Sequence, residues 1–208
     1  MKKFLLIIAA ALCSAMIFAE GERKFFGYQF ALGSGYTFYG DPNLKSNVRE
    51  AMHSGYSRII LYTDAGITLK ITDQLYFLGG FQTMLDFIWK DGRHSNHASP
   101  TFFGGLQFYP GIGNLSFSLA YALGVRHDWE GLSDDYETVK ASKWGNGFRL
   151  AAEYDFKKGG GVIPVVGASY LFLPTGYDNY DNTLAVYFRL AFHKKKINRS
   201  RGTPTAAQ

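Results

Sequence analysis

Eight charged side chains fall inside stretches that otherwise alternate between bulky apolar and small or polar residues: Asp64, Lys70, Asp86, Arg126, Arg149, Glu153, Asp155 and Arg189. Four are acids and four are bases. Charges shut away from water are tolerable when paired and costly when alone. A balanced set therefore suits a network that fills and ties together an enclosed space. Facing a continuous water path, the same charges would line a narrow polar channel and set its selectivity. The residue types alone leave both uses open.

Other reactive groups are sparse. Nucleophilic catalysis needs a hydroxyl or thiol beside an oriented base. His127-Asp128 offers a base and a carboxylate, but no Ser lies in that stretch, and the nearest, Ser133, is in a polar connection. His94 and His97 stand near Asp91 at a spacing that matches no recognised metal motif. Glu130, Asp134, Asp135 and Glu137 form an acidic segment. It suits a solvated loop, or one that meets divalent cations or basic surfaces. No enzymatic activity, cofactor or resident metal is expected.

The 208 residues suit one domain. Lys2 and Lys3 precede an apolar run from Phe4 to Phe18, which reads as a secretory signal peptide over residues 1–19 with cleavage after Ala19. The run is short for a spanning helix, which needs about 20 apolar residues. Cys13, the single cysteine, lies inside it, so the mature chain would hold no disulfide, zinc site or thiol nucleophile. Lipidation at Cys13 would call for a small residue before it, and Leu12 is large. Removing residues 1–19 takes away Lys2 and Lys3 and no acid, which lowers the net charge from +5 to +3. So mild and evenly spread a charge argues against nucleic acid as a partner.

The elements that must position the charges are strands. Period-2 alternation marks a strand with two different faces. Over 25–39, Phe26, Tyr28, Phe30, Leu32, Tyr36 and Phe38 share one face, while Gly27, Gln29, Ala31, Gly33, Gly35 and Thr37 share the other. Seven further stretches follow at 57–71, 74–89, 101–110, 115–127, 146–156, 162–173 and 184–192. Over 115–127, Leu115, Phe117, Leu119, Tyr121, Leu123 and Val125 oppose Ser116, Ser118, Ala120, Ala122, Gly124 and Arg126. Over 162–173 both faces are apolar; Val166, Ala168, Tyr170 and Phe172 are read as outward. Long polar connections at 40–56, 90–100, 129–145 and 174–182 alternate with short turns at 72–73, 111–114 and 157–161. That rhythm predicts an all-β fold: an eight-stranded antiparallel up-and-down transmembrane β-barrel.

Size decides which face is inside. An eight-stranded barrel has an interior that side chains just fill. The Phe, Leu and Tyr set is too bulky for it, and the Gly, Ala and Ser set fits. The bulky face must then meet lipid. Aromatics near strand ends suit the two interfacial girdles of such barrels. Tyr36, Phe38, Trp89, Trp129 and Trp144 would serve the outer one, and Phe26, Tyr154, Phe156 and Phe192 the inner one.

On this architecture, and on a last strand running from Leu184 to Phe192, the chain resembles the small outer-membrane barrels of the OmpA transmembrane-domain, OmpX and OmpW type. The resemblance implies a bacterial outer-membrane location with both termini periplasmic. It implies outer-membrane lipid and the barrel-assembly machinery as partners, the latter through the last strand. It also implies either a structural or surface-interaction role, with an extracellular ligand met through the loops, or an OmpW-like narrow channel for small solutes. The barrel would span residues 20–192. Phe192 is not the final residue, which departs from the family pattern; a basic tail over 193–208 follows and is expected to be disordered in the periplasm.

Overall fold

The computed structural model describes residues 25–112, 114–133, 136–156, 161–175 and 179–193. The segment expected to be a signal peptide, Cys13, Asp134, Asp135 and the basic tail beyond His193 lie outside the described residues. The chain forms β1 (Phe26–Phe38), α1 (Pro42–His53), β2 (Ser57–Lys70), β3 (Leu75–Lys90), β4 (Arg93–Ala98), β5 (Thr101–Phe108), β6 (Leu115–Gly124), β7 (His127–Ser133), β8 (Tyr136–Ala141), β9 (Gly145–Asp155), β10 (Val162–Pro174) and β11 (Tyr180–His193). No described helix is long and apolar enough to cross a membrane.

Eight of these strands close a ring. Antiparallel ladders run β1–β2–β3–β5–β6–β9–β10–β11, and β11 returns to β1. Closure removes every free strand edge, which hydrocarbon would otherwise leave unpaired at several kcal/mol per group. The eight-stranded transmembrane barrel is therefore the observed fold. Short turns gather at one end, with the start of β1 and the finish of β11; we call this the turn end. The long connections gather at the other, the loop end.

Register follows from the alternation, because slipping a strand by one residue would turn its whole apolar set inward. In β6 the two faces are cleanly separated: Leu119 is 60% exposed and Ala120 1%. Along β10, where both faces are apolar, Val166 and Ala168 are exposed while Val165, Leu171 and Leu173 are buried. Val125 departs from expectation. It is buried, because β6 ends at Gly124 and the chain bends there, with the Val125 N–H donating to the Pro100 carbonyl at 3.1 Å.

The connections expected at 90–100 and 129–145 are mostly strand. Beyond the ring, β3 pairs with β4, β4 with β7, and β7 with β8, forming a four-stranded ribbon at the loop end. The β3–β4 link is a two-residue turn, Asp91-Gly92, with φ of +48° and +81°. Asp-Gly tolerates this conformation, and its twist matches the flanking strands. The connection at 40–56 also holds structure. Asp41 caps α1 by accepting from the Asn43 and Leu44 N–H groups at 2.9 and 3.3 Å, and Pro42 sits in the first helical turn. Leu44 and Val48, four residues apart on one helical face, pack on Tyr39 and Ile88. Ile88 points inward from β3, so α1 folds over the loop-end mouth.

The lipid-facing register has a direct test. Leu119→Arg is expected to lower stability in lipid vesicles by about 2–4 kcal/mol. Leu119→Phe, whose bulk a packed interior would reject, should stay close to the parent. Urea titration of vesicle-refolded protein reads both, and a mild Leu119→Arg would refute the register.

Candidate functional site

The middle of the lumen is filled by two acids and two bases. Asp64 on β2, Arg149 and Glu153 on β9, and Arg189 on β11 all take the inward phase of their strands. Arg149 and Arg189 are 0% and 1% exposed. One oxygen of Asp64 accepts from both guanidiniums, at 3.2 Å from Arg149 and 2.8 Å from Arg189. Arg189 also pairs with Glu153. Neutral groups take up further bonds. Gln82 accepts from Arg149 at 2.8 Å, Tyr62 donates to Asp64 at 2.9 Å, and Tyr187 and Gln107 donate to Glu153 at 2.5 and 2.9 Å.

Rings complete the packing. Tyr62 and Tyr187 stack with centroids 5.2 Å apart. The Arg149 guanidinium lies 4.8 Å from the Phe103 ring centre, and that of Arg189 4.9 Å from Tyr187. Small residues make the room. A Cβ on Gly167 would fall 2.8 Å from the Tyr187 ring, and one on Gly80 2.8 Å from that of Phe103. Toward the turn end lies a lumen cavity of about 10 Å³, bordered by Gln29, Tyr76, Gln107, Glu153 and Asp155.

The other expected charges belong to separate groups. Asp86 is gripped by Arg58 through two bonds of 2.8 and 2.6 Å, and Tyr39 donates to it at 2.6 Å. Arg126 pairs with Asp128 at 3.0 Å and with Asp181 at 2.6 Å. Lys70 reaches Asp73 in the β2–β3 turn at 2.5 Å. Asp155 is buried near the turn end. Sequence reasoning passed over Arg58, Asp128 and Asp181 as lumen-facing partners. Arg58 shares the inward phase of Tyr62 and Asp64 within the expected 57–71 stretch, and Asp181 that of Ala185 and Arg189 once the last strand is extended back to Tyr180.

Of the aromatics expected at strand ends, Tyr36, Phe38, Trp89 and Trp144 are exposed near the loop end. Trp129 is half-buried in the ribbon, stacked on His127 with centroids 5.8 Å apart. Near the turn end Phe26, Tyr154 and Phe156 are exposed, and half-buried Phe192 stacks on Tyr28 at 5.0 Å.

The ribbon carries a second polar assembly. Ser95 and His97 project from one face of β4, and His97 stands directly opposite Asp128 on β7. His97 Nδ1 is 2.8 Å from Asp128 Oδ1, and His97 Nε2 is 3.0 Å from Ser95 Oγ. Asp128 therefore partners His97, not its chain neighbour His127. Burial alone would push the Asp128 carboxyl up; the His97 hydrogen bond and the Arg126 charge outweigh it and hold the group below its ordinary value. For Arg126, burial works against the charge, and Asp181 and Asp128 more than restore it. Beside this assembly a cavity of about 640 Å³ opens between α1 and the ribbon, walled by Val48, Ala51, Tyr56, Lys90, Arg93 and Ser95 among others. Among the described residues no group of three or more His, Cys, Asp or Glu is placed to hold a metal ion.

No protein-family model matches the chain, and no curated protein sequence matches it. Solved structures do. Ail, the attachment invasion locus protein of Yersinia pestis, superposes with a TM-score of 0.58 at 11% identity, over 83% of this chain and 100% of Ail. Ail in complex with the heparin analogue sucrose octasulfate gives 0.57 at 10% identity, over 81% and 100% of the two chains. The neisserial surface protein NspA gives 0.48 at 13% identity, over 82% and 99%. The Ail superpositions establish a shared fold.

The lumen cluster generates a stability prediction. Arg189→Met strips a partner from both Asp64 and Glu153 and is expected to cost about 3–5 kcal/mol. Adding Glu153→Gln removes one of the stranded charges and should recover part of the loss. A single-variant loss below about 1 kcal/mol, the scale of an exposed pair, would contradict a buried, mutually dependent cluster.

Proposed function

We propose that the protein is an outer-membrane barrel closed along its axis, which meets its surroundings through the loop end, with both termini in the periplasm. The observation that carries this reading is the buried cluster of Asp64, Arg149, Glu153 and Arg189 across the middle of the lumen. Four charges bonded to one another leave no row of solvated groups along which an ion could move. The cavity next to the cluster, about 10 Å³, has room for about one water. A conducting path would have to break bonds whose loss strands charges in a space with little solvent.

In this reading Tyr36, Phe38, Trp89, Trp129 and Trp144 belong to the outer interfacial girdle, and Tyr154, Phe156 and Phe192 to the inner one. Residues 1–19 are the signal peptide, residues 20–192 the barrel and residues 193–208 a periplasmic tail. The strand ending at Phe192 is the segment the barrel-assembly machinery reads. The contact surface is α1 with the ribbon, and the 640 Å³ cavity between them is of a size that takes a small ligand. Ail binds a heparin analogue; in this chain the cavity wall holds the cations Lys90 and Arg93 together with the acids Glu50, Asp91 and Glu130, a mixed surface suited to a polar ligand.

Planar-bilayer recording on refolded protein tests the closed lumen against a narrow channel for small solutes. The protein is expected to insert without stable unitary conductance. Reproducible single-channel steps from inserted protein would overturn the closed reading.

A further inference from the structure

The Ser95, His97 and Asp128 side chains stand in an order that a chance hydrogen-bond chain does not require. An ionised carboxylate can only accept, so the ring nitrogen facing Asp128, Nδ1, carries the proton. In the neutral ring Nε2 is then free to accept from the Ser95 hydroxyl, 3.0 Å away. A nucleophilic serine needs this tautomer and this sequence of contacts: carboxylate to Nδ1, Nε2 to hydroxyl.

Surrounding groups fix the arrangement. Arg126 bonds both oxygens of Asp128, at 3.0 and 3.1 Å, and is itself tied to Asp181 at 2.6 Å. The Tyr39 ring meets the His97 ring edge-on, with centroids 5.2 Å apart. Ser95 contributes to the wall of the 640 Å³ cavity, whereas His97 is 2% exposed behind it. Ser95, itself 7% exposed, thus borders the pocket, and the base lies deeper. Two adjacent antiparallel strands produce the geometry, since Ser95 and His97 are two apart on one face and His97 pairs with Asp128 across the ladder.

We propose that Ser95, His97 and Asp128 form a nucleophilic triad that hydrolyses carboxylic esters entering the loop-end cavity. Ser95 Oγ attacks the ester carbonyl carbon as its proton passes to His97 Nε2. The tetrahedral species collapses by breaking the acyl C–O bond, and the leaving alcohol takes that proton. Water then attacks the acyl-serine, gives a proton to His97, and releases a carboxylic acid as the proton returns to Ser95 Oγ. Water is the only co-reactant. Asp128 acts as a positioning residue that holds the ring and stabilises its transient charge. Val48, Ala51 and Tyr56 offer apolar wall for a short acyl chain, and a polar remainder would meet both Lys90 and Arg93 and the acids Glu50, Asp91 and Glu130. The expectation of no catalysis rested on the lack of a serine beside His127-Asp128; the ribbon supplies one from β4. The inference is independent of whether the lumen conducts.

The test uses the refolded full chain in detergent micelles, with p-nitrophenyl esters from acetate to octanoate and a fluorophosphonate probe. The parent is expected to turn over the short esters and to gain the probe's mass on Ser95. Ser95→Ala should abolish both while keeping the fold, read by circular dichroism and heat-modifiable migration. Asp128→Asn, which favours the wrong tautomer, should lower turnover by about 10⁴-fold. Turnover that survives Ser95→Ala overturns the assignment. So does folded parent protein that takes no label and cleaves no ester in the series.

Discussion

Hydrocarbon offers the backbone no hydrogen-bond partners, and the rest of this molecule depends on that constraint. It makes the sheet close, so β11 returns to β1. Closure with a two-residue side-chain period then sorts every residue of eight strands into lipid-facing or lumen-facing. Any charge within those strands has only the lumen as a refuge. A narrow lumen holds little water, so its charges must find one another. Asp64, Arg149, Glu153 and Arg189 come from three strands far apart in sequence and meet for this reason.

The packing inside the barrel answers the same constraint. Four charged side chains and the Tyr62, Tyr187 and Phe103 rings need volume that a uniform wall of large residues would deny them. Gly80 and Gly167 yield it where rings approach the backbone. Outside, bulk is free, and Phe, Leu and Tyr cover the lipid face. The sharp size difference between the faces is thus a consequence of diameter as much as of polarity.

The eight strands and their phases were legible because they depend on a local signal, the alternation itself. Even β10, apolar on both faces, kept a readable phase in Val166 and Ala168. Partnership was less legible. That Asp64 would face inward follows from its strand, but that it would bind Arg149 and Arg189, rather than Lys70, depends on height along the barrel axis. Lys70 sits too near the turn end and meets Asp73. Asp181 falls in a stretch expected to be a connection, whereas Arg58 lies inside the expected 57–71 strand and its charge went unassigned at the strand's first inward position. At the loop end composition alone gives polar connections, yet local rules already mark regular structure there. Asp41-Pro42 with Leu44 and Val48 spells a capped amphipathic helix, and Asp91-Gly92 a tight hairpin.

The ribbon is where strand logic continues after lipid has ceased to impose it. Inside the membrane, alternation separates apolar from small; in β4 and β7 the residues on the buried face are Ser95, His97 and Asp128 instead. Nothing in hydrocarbon matching demands such groups there, and an apolar trio would bury more cheaply. Their burial is compensated by an ordered chain of bonds running from Ser95 through His97 and Asp128 to Arg126 and Asp181. That chain crosses from the ribbon back to β11, so it also couples the ribbon to the barrel wall. A site built on paired strands and anchored in this way holds its side chains more rigidly than one carried on a free loop, and rigidity at an exposed barrel mouth is what reactive chemistry there would need.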